Sequence, residues 1–174
     1  LGVSAVSTPV SSNTALEKSG WFAQVSRTRI GSPYVIASMA AQRAAGGKVV
    51  AGYEANGGFL LASDVVREGR RLKALPTRDA VIVHLSILGL ARQQGCSVAE
   101  LLQQLPARVT HSDRIKDFAT ARSQELIKSL IAGGAGAIEA MLADIAGKVA
   151  STDTTDGLRI VFANGEIVHF RPSG

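Results

Sequence analysis

Lys48-Val49-Val50-Ala51-Gly52-Tyr53-Glu54-Ala55-Asn56-Gly57-Gly58-Phe59-Leu60-Leu61-Ala62 decides how the rest of this 174-residue chain is read. The apolar run 48–51 reads as a buried strand, and a second apolar run begins at Phe59. Between them stand four small residues, one carboxylate and one amide. Asn-Gly between apolar runs signals a β-hairpin. The same stretch has a second reading, because a glycine-rich backbone lets a bound molecule approach closely. Glu54 can accept from, and Asn56 can donate to, neighbouring hydroxyls. On spacing alone, a turn and a polyol site both remain open.

Upstream, residues 3–6 predict a short strand ending at Pro9. Asn13 or Thr14 then caps a helix to about Ser19, with Thr14 and Glu17 spaced as a capping box. Residues 21–28 predict a second strand. Gly31-Ser32-Pro33 opens an alanine-rich helix to Ala45, since proline suits a first helical turn. Downstream, residues 63–75 read as a charged connector. Thr77 then starts the longest helix, about 78–94, which is apolar on several sides and therefore expected to be buried. His84 within it reads as a hydrogen-bonded core histidine, with a proton-transfer group as the alternative. Ser97 and Glu100 predict another capping box, and the helix they start closes at Pro106. Strands alternating with helices predict an α/β sandwich domain, a mixed sheet with helices on both faces.

A domain boundary is expected near Pro106, giving domains 1–106 and 107–174. Residues 108–111 look strand-like, and 120–131 make an amphipathic helix. Gly133-Gly134-Ala135-Gly136 follows a helix rather than a strand and lacks a Gly-Lys-Ser/Thr ending, so it reads as a helix break rather than a phosphate loop. Residues 138–145 predict another helix. Leu158 to Phe162 and Ile167 to Arg171 flank Asn164-Gly165, which predicts a two-residue hairpin loop. In that register Phe162 opposes Ile167, Ile160 opposes His169 and Leu158 opposes Arg171. The second domain is therefore expected to be α+β, an antiparallel sheet with helices on one face. Arg171-Pro172-Ser173-Gly174 ends the chain with an arginine fork and a serine suited to an anion; the alternative is a polar tail.

The composition, 46% hydrophobic and 19% charged, is that of a folded protein. A net charge of +5 admits anionic partners. Arg67, Arg70, Arg71 and Lys73 form the one dense basic cluster, and no aromatic residues interleave with it. Stacking-plus-phosphate nucleic-acid binding is therefore poorly supported, and no nucleic-acid partner is expected. No apolar run has membrane-spanning length. Residues 1–10 lack a signal peptide's basic start and cleavage pattern, and a single cysteine, Cys96, suits a reducing, cytoplasmic setting.

The quoted stretch resembles the sugar-recognition loop of the α-D-phosphohexomutases, the phosphomannomutase/phosphoglucomutase family, which reads Gly-Glu-x-Ser-Gly-His. Three further stretches resemble that family in order. Ser7-Thr8-Pro9-Val10-Ser11-Ser12-Asn13 is similar to the start of its third domain, and Thr28-Arg29-Ile30-Gly31 to its Thr-Lys/Arg-x-Gly turn. Arg171-Pro172-Ser173-Gly174 is similar to the opening of its phosphate loop, Arg-Pro-Ser-Gly-Thr-Glu-Pro. The resemblance spans nearly the whole chain. It implies the third and most of the fourth of four domains, from an enzyme that moves a phosphoryl group between C1 and C6 of a hexose.

The resemblance further implies a phosphoserine donor, Mg²⁺ held by a second domain, and a hexose bisphosphate activator. Neither the phosphoserine motif nor the Asp-Gly-Asp-x-Asp metal loop occurs here, so no catalytic and no metal-binding residue is expected in this chain. Its partners would be the hexose phosphate substrate and the enzyme's preceding domains. Carried over residue by residue, Glu54 and Asn56 would bind sugar hydroxyls, with Gly31 and Ser32 at the neighbouring turn. Arg171, Ser173 and Gly174 would hold the non-reacting phosphate. Ser32 stands where some members have histidine, Gly58 where many do, and Asn56 stands for serine. Mannose or glucose phosphates fit better than glucosamine phosphate. The competing reading is a non-catalytic module whose basic cluster meets an acidic partner.

Overall fold

Strand β1 (Ala5–Pro9) is buried along its whole length, and the first of two units is built around it. The computed structural model describes residues 1–172, and the chain divides between Thr110 and His111. In the first unit, β2 (Gln24–Thr28) and β3 (Val50–Tyr53) pair in parallel with opposite edges of β1. Strand β4 (Phe59–Leu61) returns antiparallel beside β3, giving the order β2-β1-β3-β4. Helices α1 (Ala15–Ser19) and α2 (Ser32–Ala44) connect the parallel strands. The sheet is mixed and the unit is α/β.

The first strand ends at Pro9 as expected, begins at Ala5, and satisfies its polar residues internally. Ser7 donates to Gln42 Oε1 at 3.1 Å, Ser7 and Ser38 hydroxyls share a bond of 2.8 Å, and Thr8 donates to Ser12 Oγ at 2.7 Å. Gln42 also donates to Val6 O and Ser26 Oγ. This network and the buried Val35 and Met39 hold α2 on the sheet. Val35, Met39 and Gln42 recur at helical spacing, as one covered face requires.

Several local expectations are corrected. The Thr14–Glu17 capping box does not form: Asn13 Oδ1 accepts the Ala15 N–H at 2.9 Å instead, and Glu17 turns to Arg27. The connector 63–75 contains a hairpin, β5 (Val65–Arg67) with β6 (Arg70–Leu72). Glu68 and Gly69 both have positive φ, 51° and 73°, as a two-residue type I′ loop demands. Helix α3 (Ala80–Gln94) starts from Asp79 rather than Thr77, because the Asp79 carboxylate accepts from the Val81 and Ile82 N–H groups. Helix α4 (Val98–Gln103) has the expected Ser97–Glu100 capping box.

Helix α3 is not buried on several sides. Val81, Leu85 and Leu88 are 64%, 61% and 60% exposed, and His84 is exposed rather than a core histidine. Within this unit α3 packs mainly on β4 and α4, and Arg67 of β5 donates to Gln93 Oε1 at 3.4 Å. An apolar helix finds burial only where a neighbouring element covers it. Residues 108–111 belong to no strand, since β propensity needs a pairing partner.

The second unit contains α5 (Thr120–Met141) and an antiparallel sheet of β7 (Val149–Asp153), β8 (Leu158–Phe162) and β9 (Ile167–Phe170), in that order. Gly134 interrupts α5 with φ 61° and ψ −157°, so the glycine cluster is the helix break the sequence suggested. Its second half ends at Met141, short of residue 145. Ile127, Leu130 and Ile138 from α5 meet Leu158, Ile160 and Phe162 in one core, and the unit is α+β.

The β8–β9 register differs from expectation by one residue. Leu158 pairs with Phe170, Ile160 with Val168 and Val161 with Ile167. Asn164-Gly165 forms the end of a three-residue loop, Ala163 to Gly165, not a two-residue one. Phe162 N–H donates to Glu166 O at 2.9 Å, Gly165 N–H donates to Phe162 O at 2.9 Å, and Gly165 has φ +83°. This is a turn closed by a left-handed residue. A one-residue shift moves side chains to the opposite face. Val168 and Phe170 therefore face the core, while His169 and Arg171 face away from it.

Candidate functional site

Parallel pairing brings the carboxyl ends of β1, β2 and β3 to one edge of the first sheet. Pro9 registers with Thr28, and Ser7 with Gly52, two residues before Pro9 and Glu54 respectively. The chain leaves β1 toward β2 and returns on the other side of β1 as β3. That reversal makes a switch point, where loops diverge and leave a crevice outside the strand ends. The loops after β1 and β3 flank it, and Gly31 and Ser32 follow β2 at the same edge.

Arg27 fixes the loop after β1. Its guanidinium donates to Pro9 O, Ser12 O, Asn13 O and both Glu17 carboxylate oxygens, over 2.7 to 3.1 Å. One side chain thereby bonds three carbonyls of the turn, of which Pro9 O also accepts the Ser12 N–H at 3.0 Å. Gly31 caps α2 with φ 129°, a conformation side chains rarely adopt, and Ser32 opens the helix, partly exposed.

The loop between β3 and β4 is a hairpin turn. Glu54 N–H donates to Gly58 O at 2.8 Å, Gly57 N–H donates to Glu54 O at 3.0 Å, and Asn56 Oδ1 accepts the Gly58 N–H at 3.1 Å. Asn56 is exposed with its oxygen committed to the turn. Glu54 is buried, its side chain only 5% exposed. Arg78 Nε lies 3.0 Å from Glu54 Oε2, an ion pair without hydrogen-bond alignment. Taking a carboxylate out of water is costly unless it is paired. Glu54 is thus an acceptor held at the switch point by one cation. Nothing in the spacing from Glu54 to Arg78 could have disclosed that contact.

In the second unit, Arg171 follows β9, and its Nε donates to Asp156 Oδ1 at 3.2 Å. The turn before β8 thus supplies a carboxylate partner to this arginine. His169 Nε2 lies 2.6 Å from Asp156 O and ties the same turn to β9. Burial pushes the neighbouring Asp153 carboxyl up, but hydrogen bonds from the Thr155 hydroxyl and N–H outweigh it and hold the group below its ordinary range. The turn is therefore ordered by its own side chains. Ser173 and Gly174 lie outside the described residues.

Among the described residues, no cluster of three or more His, Cys, Asp or Glu side chains could hold a metal ion, and no helix is long and apolar enough to cross a membrane. A mixed sheet with helices and a buried carboxylate on the turn beside its switch point makes this unit an α/β domain. Residues 2–109 match the family described as Phosphoglucomutase/phosphomannomutase, alpha/beta/alpha domain III. A phosphomannomutase of Salmonella muenchen is 41% identical over all 174 residues, which are 36% of its own length. A phosphomannomutase of Sinorhizobium fredii (strain NBRC 101917 / NGR234) is 40% identical over 169 residues, 97% of this chain and 35% of its own length. With its first unit matched in this way, the chain belongs to the phosphoglucomutase/phosphomannomutase family; it spans about a third of the length of these relatives.

Proposed function

We propose that this chain supplies the sugar-reading and phosphate-anchoring part of a longer phosphohexomutase that interconverts hexose 1-phosphate and 6-phosphate, with mannose or glucose as the sugar. The observation that carries the reading is Glu54, a carboxylate buried on a turn at the sheet's switch point. Residues 1–106 form the sugar-recognition domain, where Glu54 and Asn56 meet ring hydroxyls and Gly31 and Ser32 line the adjoining turn. Residues 107–174 form the phosphate-anchoring domain, where Arg171, Ser173 and Gly174 grip the phosphate that does not react.

The phosphoserine, and the residues that bind Mg²⁺, belong to other parts of the enzyme. In the reaction, the phosphoserine gives its phosphoryl group to the free hydroxyl of the monophosphate. The resulting bisphosphate then returns a phosphoryl group to the serine from its other position. Between the two transfers the sugar must present opposite ends. Positioning and charge stabilisation dominate such chemistry. A carboxylate reads mid-ring hydroxyls alike in both poses, and an arginine fork holds whichever phosphate is remote. The uncovered Val81, Leu85 and Leu88 of α3 support a setting among further domains, because contiguous exposed apolar surface marks an interaction face.

The test is an amide-resolved titration of the 174-residue chain with mannose 6-phosphate and glucose 6-phosphate, and separately with polyglutamate. Saturable shifts in residues 54–58 with the sugars support the reading. Shifts confined to the basic β5–β6 hairpin, seen with polyglutamate alone, would replace it with a module for acidic partners.

A further inference from the structure

Two unmet bonding capacities stand side by side at the β3–β4 turn. Glu54 Oε2 is buried and has no aligned donor, with Arg78 Nε 3.0 Å away. An acceptor removed from water and given no hydrogen bond is left wanting one. Arg78 carries five N–H donors in a rigid fork. Its Nε lies 3.0 Å from Glu54 Oε2, and its side chain is 54% exposed. A donor fork open to solvent therefore lies against an acceptor that needs a donor.

The backbone holds Arg78 in this place. Leu61 and Leu75 exchange N–H···O bonds of 3.0 and 2.8 Å, and Asp79 N–H donates to Phe59 O at 3.1 Å. Asp79 in turn caps α3. Arg78 thus sits between two anchors along β4. Its stem crosses Gly58, where a Cβ would stand 3.0 Å from Arg78 Cδ and 3.1 Å from Cγ. Gly58 has no positive φ; the Arg78 stem and Asn56 Oδ1, at 3.3 Å, make the room for a side chain there tight.

We propose that Arg78 is a specificity-determining residue of this loop. With Glu54 it forms one donor–acceptor pair, without net charge, that reads two neighbouring hydroxyls of a hexose. Glu54 accepts from one hydroxyl, and the Arg78 Nη groups donate to the oxygen of the next. A pair with no net charge suits a neutral diol and leaves the phosphates to other groups. This inference rests on the loop being the hexose-binding element.

The experiment measures affinities of the 174-residue chain for mannose 6-phosphate and its ring-monodeoxy analogues, with melting temperatures on the same samples. The wild type should bind at least one deoxy analogue about tenfold or more weakly than the parent, as loss of a charged hydrogen bond implies. Arg78→Met should erase that discrimination. Arg78→Lys should keep the melting temperature, because an ammonium still pairs with Glu54, yet not restore discrimination. Gly58→Ala should resemble Arg78→Met. Full discrimination retained in Arg78→Met but lost in Glu54→Gln would overturn the role of Arg78 and leave the loop site standing. Absent discrimination in the wild type would overturn both. Equal weakening of parent and analogues by Arg78→Met, with a fall in melting temperature, would show an ion pair that only supports the turn.

Discussion

Gly52→Ala should destabilise the first unit without touching any proposed ligand contact. A Cβ at residue 52 would stand 2.5 Å from Val35 Cγ1, 2.9 Å from Met39 Sδ and 3.2 Å from Ser7 O. Val35 and Met39 are fully buried, so neither can swing into solvent. Gly52 has no positive φ, and the penalty is therefore one of space. Overpacking of this kind costs about 1–3 kcal/mol. For a unit of this size, that lowers the melting temperature by roughly 4–12 °C. Urea unfolding followed by circular dichroism reads the free energy directly. Val35→Ala opens the space but costs on its own about 1–3 kcal/mol as a large-to-small core change. The double variant should lose clearly less than the two single losses added, because the residues share one contact. A single variant within about 0.5 kcal/mol of wild type, or strict additivity in the double, would refute the picture of α2 seated on a bare strand.

Glu54→Gln in the longer enzyme should lower kcat/KM by about tenfold or more, since each charge-assisted bond is worth roughly 1.5–3 kcal/mol; near-normal kinetics would return the loop to being only a turn. Arg171→Ala should cost about 2–4 kcal/mol in kcat/KM, whereas the partly exposed pair with Asp156 contributes at most about 1 kcal/mol to stability. A large fall in melting temperature with unchanged kinetics would make this arginine structural. Hydrogen bonds from Lys148 and the Val149 N–H hold Glu139 below the ordinary glutamate range. A depressed carboxyl stabilises the fold above its unfolded pKa and loses that contribution as pH falls through its folded value. Glu139→Gln should therefore lower the melting temperature at neutral pH and converge on wild type below the ordinary glutamate range. A difference that persists unchanged in acid would contradict the pairing.

The α/β pattern, the capping box of α4 and the helix break at Gly134 were legible because each is set by residues close in sequence. What failed depended on partners far along the chain or on unremarkable local chemistry. Hairpin β5–β6 hid in a charged connector, its turn made by Glu68-Gly69 instead of a customary Asn-Gly pair. Strand β7 went unnoticed because Val-Ala-Ser-Thr-Asp offers only one large apolar side chain. Helix α3 was expected to be buried because composition reports apolarity, whereas coverage depends on neighbours. At the candidate sites, Glu54 and Arg171 were singled out by local motif. Their partners Arg78 and Asp156 were missed, because contacts across 24 and 15 residues leave no mark in spacing.

The chain contains its own control for the loop after β3. Ala-Asn-Gly occurs at residues 55–57 and again at 163–165, and the two turns make the same three bonds. In each, the residue before alanine donates to the residue after glycine, at 2.8 and 2.9 Å. The glycine N–H returns to that first residue, at 3.0 and 2.9 Å, and the asparagine oxygen accepts an N–H at 3.1 and 3.0 Å. Asn56 and Gly57 therefore do what Asn164 and Gly165 do, and the turn by itself argues for no ligand. The twins differ at their flanks. Phe162 fills the buried position before the second turn, where an apolar ring contributes about 2–3 kcal/mol; the first turn has Glu54 there, at a desolvation cost the hairpin does not require. After the turn the second has Glu166, whereas the first has Gly58, which lies close to the stem of Arg78. The positions that depart from the shared turn are thus the ones that meet Arg78. The first hairpin thus carries a buried carboxylate where its twin carries a core ring, and a glycine where its twin carries a side chain.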